Sequence, residues 1–298
     1  MPPDANDAGF AAWMGSIQMR VEAALSRSLP APQHAPARLH QAMRYACLEG
    51  GKRVRPLLTF AAGELAGAAP ARLEVAACAV EMIHTYSLVH DDMPCLDDDR
   101  LRRNKPTVHV EYDQATALLA GDALQTLAFQ LLSEHALADD PAVQVTMVNT
   151  LAVAAGSRGM AGGQAIDLEA TGKTLSQAEL EYMHVRKTGA LISAAVKLGA
   201  LCAGPCPEPL EQYGRRVGLA FQVVDDVLDM EASTATLGKT AGKDAKQSKP
   251  TYVSTLGVAR ARQFADELRR GAHAALESFG GRALRLRQLA DFIVLRKF

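Results

Sequence analysis

Alanine and leucine recur along almost the whole of this 298-residue chain, and alternating β-branched runs bounded by turn signals are nearly missing. Such residues lose little rotamer freedom in a helix, whereas a half-buried strand needs β-branched or aromatic residues at a period of two. The pattern predicts an all-α protein and argues against a sheet. A first amphipathic helix is expected from Phe10 to Ser28, ended by three prolines between Leu29 and Pro36. Further helices are expected over 37–49, 55–67, 71–93, 107–136, 141–160, 176–204, 207–230, 250–279 and 282–296, separated by Gly/Pro or Asp-rich breaks. Long helices joined by short turns pack as a bundle, with a ligand site between facing helices near one end. No segment reads as a linker, so residues 1–298 are read as one domain, a large helical bundle around a central cavity.

The chain is 48% hydrophobic and 22% charged, enough apolar material for a large core. With 32 basic and 33 acidic residues the net charge is -1, so no bulk field attracts nucleic acid or a membrane surface, and any anion site must come from local clustering. The five cysteines are odd in number and scattered, which fits reduced thiols rather than a disulfide framework. Cys202 and Cys206 stand near each other, yet no second Cys or His pair follows at zinc spacing. The opening residues MPPDANDAGF carry acids and no basic stretch, so the expected compartment is the cytoplasm. The most apolar helical stretch, Thr188 to Gly204, contains Lys197 and is shorter than the ~20 residues of a membrane span.

Two acidic clusters stand out. HDDMPCLDDDR puts Asp91, Asp92, Asp97, Asp98 and Asp99 at the end of an apolar helix. An isolated acidic run is commonly a solvated helix end, but negative charge there opposes the macrodipole and calls for counter-charge, which a metal ion would supply. FQVVDDVLD places Gln222, Asp225, Asp226 and Asp229 on one face of a helix otherwise made of Phe, Val and Leu. Carboxylates so grouped repel and are desolvated unless cations bind them, and Mg²⁺ uses one or two carboxylates plus waters and phosphate oxygens. Two such clusters facing each other would hold a diphosphate through bridging Mg²⁺.

Basic groups complete that reading. Gly50-Gly51-Lys52-Arg53-Val54-Arg55 sets Lys52 and Arg55 three apart at a helix start preceded by glycines, a setting that suits an anion. Arg102 and Arg103 follow the first acidic cluster, and as adjacent side chains they diverge toward two different anions. Lys187 and Thr188 lie in a helical pattern, and the loop after the second cluster carries Lys239, Lys243, Lys246 and Lys249, a basic lid over a phosphate.

GGKRVRP, EMIHTYSLVHDD, DDMPCLD, LRR, GDAL, RKTG, FQVVDDVLD, the LGK loop and SKPTY, in this order over nearly the whole chain, resemble the bacterial short-chain trans-prenyltransferases, most closely those that make farnesyl diphosphate. The resemblance implies that Asp91, Asp92, Asp97, Asp225, Asp226 and Asp229 hold three Mg²⁺ ions on an allylic diphosphate, with Arg102, Lys187 and Lys239 contacting the same group; Lys249 is expected among the substrate-binding residues. It implies that Gly51, Lys52, Arg55, His84 and Arg103 bind isopentenyl diphosphate, that Thr188 and Gln222 turn oxygens toward the carbocation, and that the enzyme is a homodimer. Tyr86, with Ser87 beside it, would floor the tail pocket and stop the product at C15. Arg100 stands where relatives commonly have aspartate, and Asn104 where they commonly have glycine; Asn adopts positive φ readily, so the turn survives. A class I terpene cyclase also uses an aspartate-rich Mg²⁺ site, but its second motif mixes Asn, Ser or Thr, and Glu, and it lacks a second diphosphate pocket. A non-catalytic subunit of a prenyltransferase would have lost aspartates from one motif, and both are intact here.

Overall fold

The computed structural model describes residues 5–48, 50–231 and 249–296. Lys239, Lys243 and Lys246 lie outside the described residues. Three helices form the centre: α3 (Val54–Ala66), α4 (Pro70–Asp91) and α10 (Ala190–Leu201). Each is buried round most of its circumference, which explains why its sequence is apolar all round rather than striped. Two glycines let α3 and α10 touch backbone to backbone. A Cβ on Gly199 would sit 2.1 Å from the Thr59 carbonyl oxygen, and one on Gly63 2.9 Å from that of Gly199. The Thr59 hydroxyl uses this closeness to donate to the Ala195 carbonyl at 3.1 Å.

Around this centre pack α1 (Ala5–Ser28), α2 (Ala37–Cys47), α6 (Gln114–Glu134), α7 (Pro141–Ala155), α11 (Glu208–Glu231) and α14 (Leu284–Leu295). The remainder are α5 (Val108–Glu111), α8 (Met160–Ala170), α9 (Gln177–His184), α12 (Tyr252–Leu256) and α13 (Val258–Ala275), the last lying along α11. The all-α expectation is correct, with one small exception among the described residues: β1 (Leu101–Arg102) and β2 (Lys105–Pro106) form an antiparallel hairpin. Its turn residues Arg103 and Asn104 have φ of 53° and 61°, the pair of positive values a type I′ turn requires.

Three expected helices are divided. The stretch over 107–136 breaks at Asp113, whose carboxylate caps α6 by accepting from the Thr116 amide at 2.7 Å. The stretch over 176–204 is interrupted by a π-helical turn, Val185–Gly189, and that over 250–279 by Gly257 at φ 76°. The helix expected over 141–160 ends at Ala155, and α8 occupies a stretch to which no separate helix was assigned. Gly163 is there for contact: a Cβ on it would lie 2.1 Å from the Lys187 amide nitrogen.

Among the described residues α6 is the one helix long and apolar enough to cross a membrane by length and composition. Its Ala117, Ala120, Gly121, Leu124, Ala128, Leu131 and Leu132 are buried in the bundle against α4, α2 and α7, while Leu118 and Leu119 remain exposed.

Candidate active site

The first acidic motif begins where α4 ends and folds back on it. The amides of Asp97, Asp98 and Asp99 donate to the carbonyls of Asp91, Met93 and Asp92 at 2.8, 3.1 and 3.1 Å, satisfying carbonyls that the helix end would leave bare. Asp92 is buried and clasped by Arg102, whose Nε lies 2.9 Å from both carboxylate oxygens and whose Nη2 lies 2.6 Å from one. Lys249 Nζ lies 2.8 Å from Asp97. Arg102 and Lys249 supply part of the counter-charge that this acidic run calls for. Burial, opposed by Lys187 and Arg102 and reinforced by Asp97 and Asp92, pushes the Asp91 carboxyl up to about 6.

On α11 the second motif divides by depth. Asp226 and Asp229 are buried, whereas the Asp225 side chain is 44% exposed, so the polar groups read as sharing one helix face differ in depth. Gln222 donates to Asp226 at 2.8 Å, and the Tyr252 amide donates to the other Asp226 oxygen at 2.7 Å. Asp225 is paired with Arg296, which stacks 4.2 Å above the Phe221 ring.

The π turn links the two motifs. Lys187 reaches Asp167 on α8 at 2.5 Å and acts electrostatically on Asp91, while the Thr188 hydroxyl donates to Gln222 at 2.7 Å, and Gln222 reaches Asp226. Adjacent helical residues point in different directions, so one turn serves both aspartate motifs. Wider π turns interrupt helices mostly at functional sites.

A separate basic pocket adjoins them. His84, midway along α4, feels the positive charge of Arg55, Arg103, Arg102 and Arg53; burial first, then these charges, hold its imidazole well below the ordinary histidine range. Arg53 is structural: it is buried and donates to Glu81 at 2.6 Å, Glu22 at 2.7 Å and the Cys47 carbonyl at 2.6 Å. Arg55, also buried, has an Nε without a hydrogen-bond partner, and burial pushes its guanidinium down to about 10 despite Glu81 and Asp225. Lys52 is held below the ordinary lysine range by burial and by Arg296, against Asp225.

Gly51 earns its place through Arg103. It has φ 88°, and a Cβ on it would lie 2.7 Å from Arg103 Nη2; one on Gly50 would lie 2.9 Å from Arg103 Cδ. The paired glycines therefore make a slot for the Arg103 side chain. Arg102 and Arg103 do diverge, the first to Asp92 and the second to this slot.

Tyr86 is buried on α4, edge-on to His90 with ring centroids 5.7 Å apart, and Gln125 on α6 hydrogen-bonds its side chain. Ser87 donates to the His84 carbonyl at 2.8 Å. His90 contacts the Leu118 carbonyl and fits over Gly121, a packing role. Among the described residues no three His, Cys, Asp or Glu side chains converge as a ready metal cage. Carboxylates facing Arg and Lys are instead drawn toward those partners, and Mg²⁺ shared with waters and phosphate oxygens needs few protein ligands.

A family model described as polyprenyl synthetase matches residues 36–278. The chain belongs to the polyprenyl synthetase family. It is 48% identical over 286 residues to the farnesyl diphosphate synthase of Escherichia coli, covering 92% of this chain and 94% of that protein. An apo FPP/GFPP synthase structure from Zymomonas mobilis superposes with a TM-score of 0.86 at 39% identity, covering 96% and 99% of the two chains. The geranyltransferase of Helicobacter pylori, solved with magnesium and isoprenyl diphosphate, superposes with a TM-score of 0.84 at 31% identity over 99% and 98%. This prenyltransferase accordingly acts on small prenyl diphosphates, and catalysis in its family depends on a divalent metal. Two site residues escaped the sequence reading. Asp167 sits in a helix disguised by glycines, and its signal was an acid on an apolar helix beside GGQ; Arg296 reaches Asp225 from the far end of the chain, with no local signal.

Proposed function

We propose that the chain joins isopentenyl diphosphate head to tail with dimethylallyl and then geranyl diphosphate, giving mainly farnesyl diphosphate and releasing diphosphate. Residues 1–298 act as one polyprenyl synthase unit. The observation that carries the reading is the adjacency of two unlike anion sites, an acidic wall already matched with cations and a basic pocket around His84.

The donor set fits Mg²⁺: all six acids offer hard oxygens, and Arg102, Lys249 and Arg296 lie where positive charge is wanted. Asp91, Asp92 and Asp97 with Asp225, Asp226 and Asp229 would hold three ions. Bound there, the metal neutralises the allylic diphosphate so that it can depart. Arg102, Lys187 and Lys249, with Lys239 from outside the described residues, hold that diphosphate. Lys52, Arg55, His84 and Arg103 hold isopentenyl diphosphate with its double bond toward the allylic carbon. Thr188 and Gln222 orient oxygens toward the carbocation, and released diphosphate takes the final proton, so no protein base is needed.

The tail runs back along α4 from Asp91. Tyr86 lies five residues earlier, about 7.5 Å along the axis, and its ring floors the pocket with Ser87 alongside. A homodimer is part of the proposal, since exposed Leu118 and Leu119 on α6 are apolar surface that a second copy would cover. Isopentenyl diphosphate labelled with ¹⁴C is expected to enter C15 product in the presence of Mg²⁺, with no incorporation in excess EDTA. Tyr86→Ala is expected to shift the dephosphorylated products to C20 or longer on chromatography, with stability lower by ~3 kcal/mol. A folded, active variant that still stops at C15 rejects Tyr86 as the floor.

A further inference from the structure

The π turn places Lys187, but a turn fixes only where the side chain starts. A lysine has a flexible four-carbon stem, and its ammonium must be held if it is to meet a phosphate in one geometry. What holds it is α8. Gly163 and Asp167 are four residues apart and so lie on one face of that helix. Gly163 brings the α8 backbone against the Lys187 amide so closely that any Cβ would collide at 2.1 Å. One turn later Asp167 Oδ2 takes the Lys187 ammonium at 2.5 Å. The same oxygen lies 3.5 Å from Lys249 Nζ, which also binds Asp97 at 2.8 Å. Burial by itself would raise the Asp167 carboxyl; Lys187 and Lys249 outweigh it and hold the group below its ordinary range.

We infer that Asp167 is a positioning residue for the allylic diphosphate, one carboxylate that sets two lysine ammonium groups at a fixed spacing beside the first aspartate motif. This rests on the assignment of Lys187 and Lys249 to that diphosphate. The carboxylate engages one side of the Lys187 ammonium, whose three N–H donors allow it to meet a phosphate oxygen as well. A buried acid also repels an incoming polyanion, so the gain from fixing two flexible cations must exceed that repulsion. Lys187 and Lys249 bring two positive charges against the two negative ones of Asp167 and Asp97, so the gain comes from fixing the ammonium groups in place and not from a net positive charge.

The test is steady-state kinetics of Asp167→Asn and Asp167→Glu against both substrates, with Lys187→Met and the Asp167→Asn/Lys187→Met double variant completing a cycle. Asp167→Asn is expected to lower kcat/KM for geranyl diphosphate by about tenfold or more, leaving the KM for isopentenyl diphosphate within about twofold. Asp167→Glu should retain more activity than Asp167→Asn, because it keeps the charge; a role in packing or neutral hydrogen bonding gives the reverse order, since Asn is the better isostere. The double variant should be no worse than Lys187→Met by more than about threefold, the excess coming through Lys249. An unchanged or improved kcat/KM in Asp167→Asn means that the carboxylate only competes with substrate, and equal losses for both diphosphates mean that it only supports the fold; either overturns the inference. If Lys187→Met itself leaves geranyl diphosphate unaffected, the assignment of that lysine fails instead.

Discussion

The two halves of the proposed active site of this prenyltransferase are built by opposite means. In the aspartate-rich half four acids sit beside a cation: Asp92 with Arg102, Asp97 with Lys249, Asp167 with Lys187 and Asp225 with Arg296. In the pocket around His84 the cations outnumber the acids, Arg53 is consumed by Glu81 and Glu22, and Arg55 keeps an unsatisfied Nε. On the proposed assignment a half made of acids needs added positive charge to receive a diphosphate, while the basic half can take one directly. Metal dependence should therefore belong to one substrate and not to the other.

The strongest challenge to that contrast is removal of a metal-side acid. Asp91→Ala or Asp225→Ala is expected to lower kcat by ~10²–10³ while isopentenyl diphosphate still binds, as titration of the Mg²⁺-free protein would record. Near-normal Mg²⁺-dependent turnover in either variant breaks the contrast. Splitting the arginine pair sharpens it. Arg103→Ala should raise the KM for isopentenyl diphosphate by about tenfold or more with little change for the allylic partner, and Arg102→Ala should do the reverse. Arg102→Ala also leaves Asp92 buried without its fork, so its melting temperature should fall by the equivalent of roughly 2 kcal/mol, a loss not expected of Arg103→Ala. Equal kinetic losses for both substrates in both variants would mean that the two sites are not separate.

The smallest effect is on stability against pH. Asp91 has its carboxyl raised from 3.8 to about 6, so folding favours its neutral form. The stabilisation is complete below about pH 4 and is lost as pH rises through about 6. In EDTA, wild type should therefore lose stability relative to Asp91→Asn between about pH 4 and 7, and Mg²⁺ should reverse the trend by favouring the carboxylate. Parallel melting curves across that range would show that Asp91 does not carry the desolvated charge.

Much of the site was legible because its chemistry is periodic. Gln222, Asp225, Asp226 and Asp229 announce themselves on an apolar helix, and Asp91 and Asp92 at a helix end where negative charge is unfavourable. Asn104 was readable as a positive-φ residue, and its φ is 61°. Gly51 is expected to bind isopentenyl diphosphate, and its geometry adds a feature the sequence did not show, a slot for Arg103. The division of the helix over 176–204 was invisible, since a π turn keeps helical composition and differs only by one extra residue per turn.

The sequence by itself determined the helical class, the apolar centre and the residue types gathered at the proposed site, because local propensity, periodicity and charge clustering all act between near neighbours. Tertiary structure alone decided which cation meets which acid. Arg296 and Asp225, Lys249 and Asp97, and Asp167 and Lys187 come together from distant stretches of chain or from helices whose contact depends on a glycine. An ion pair of that kind depends on distance and burial after packing, neither of which is a property of any local segment.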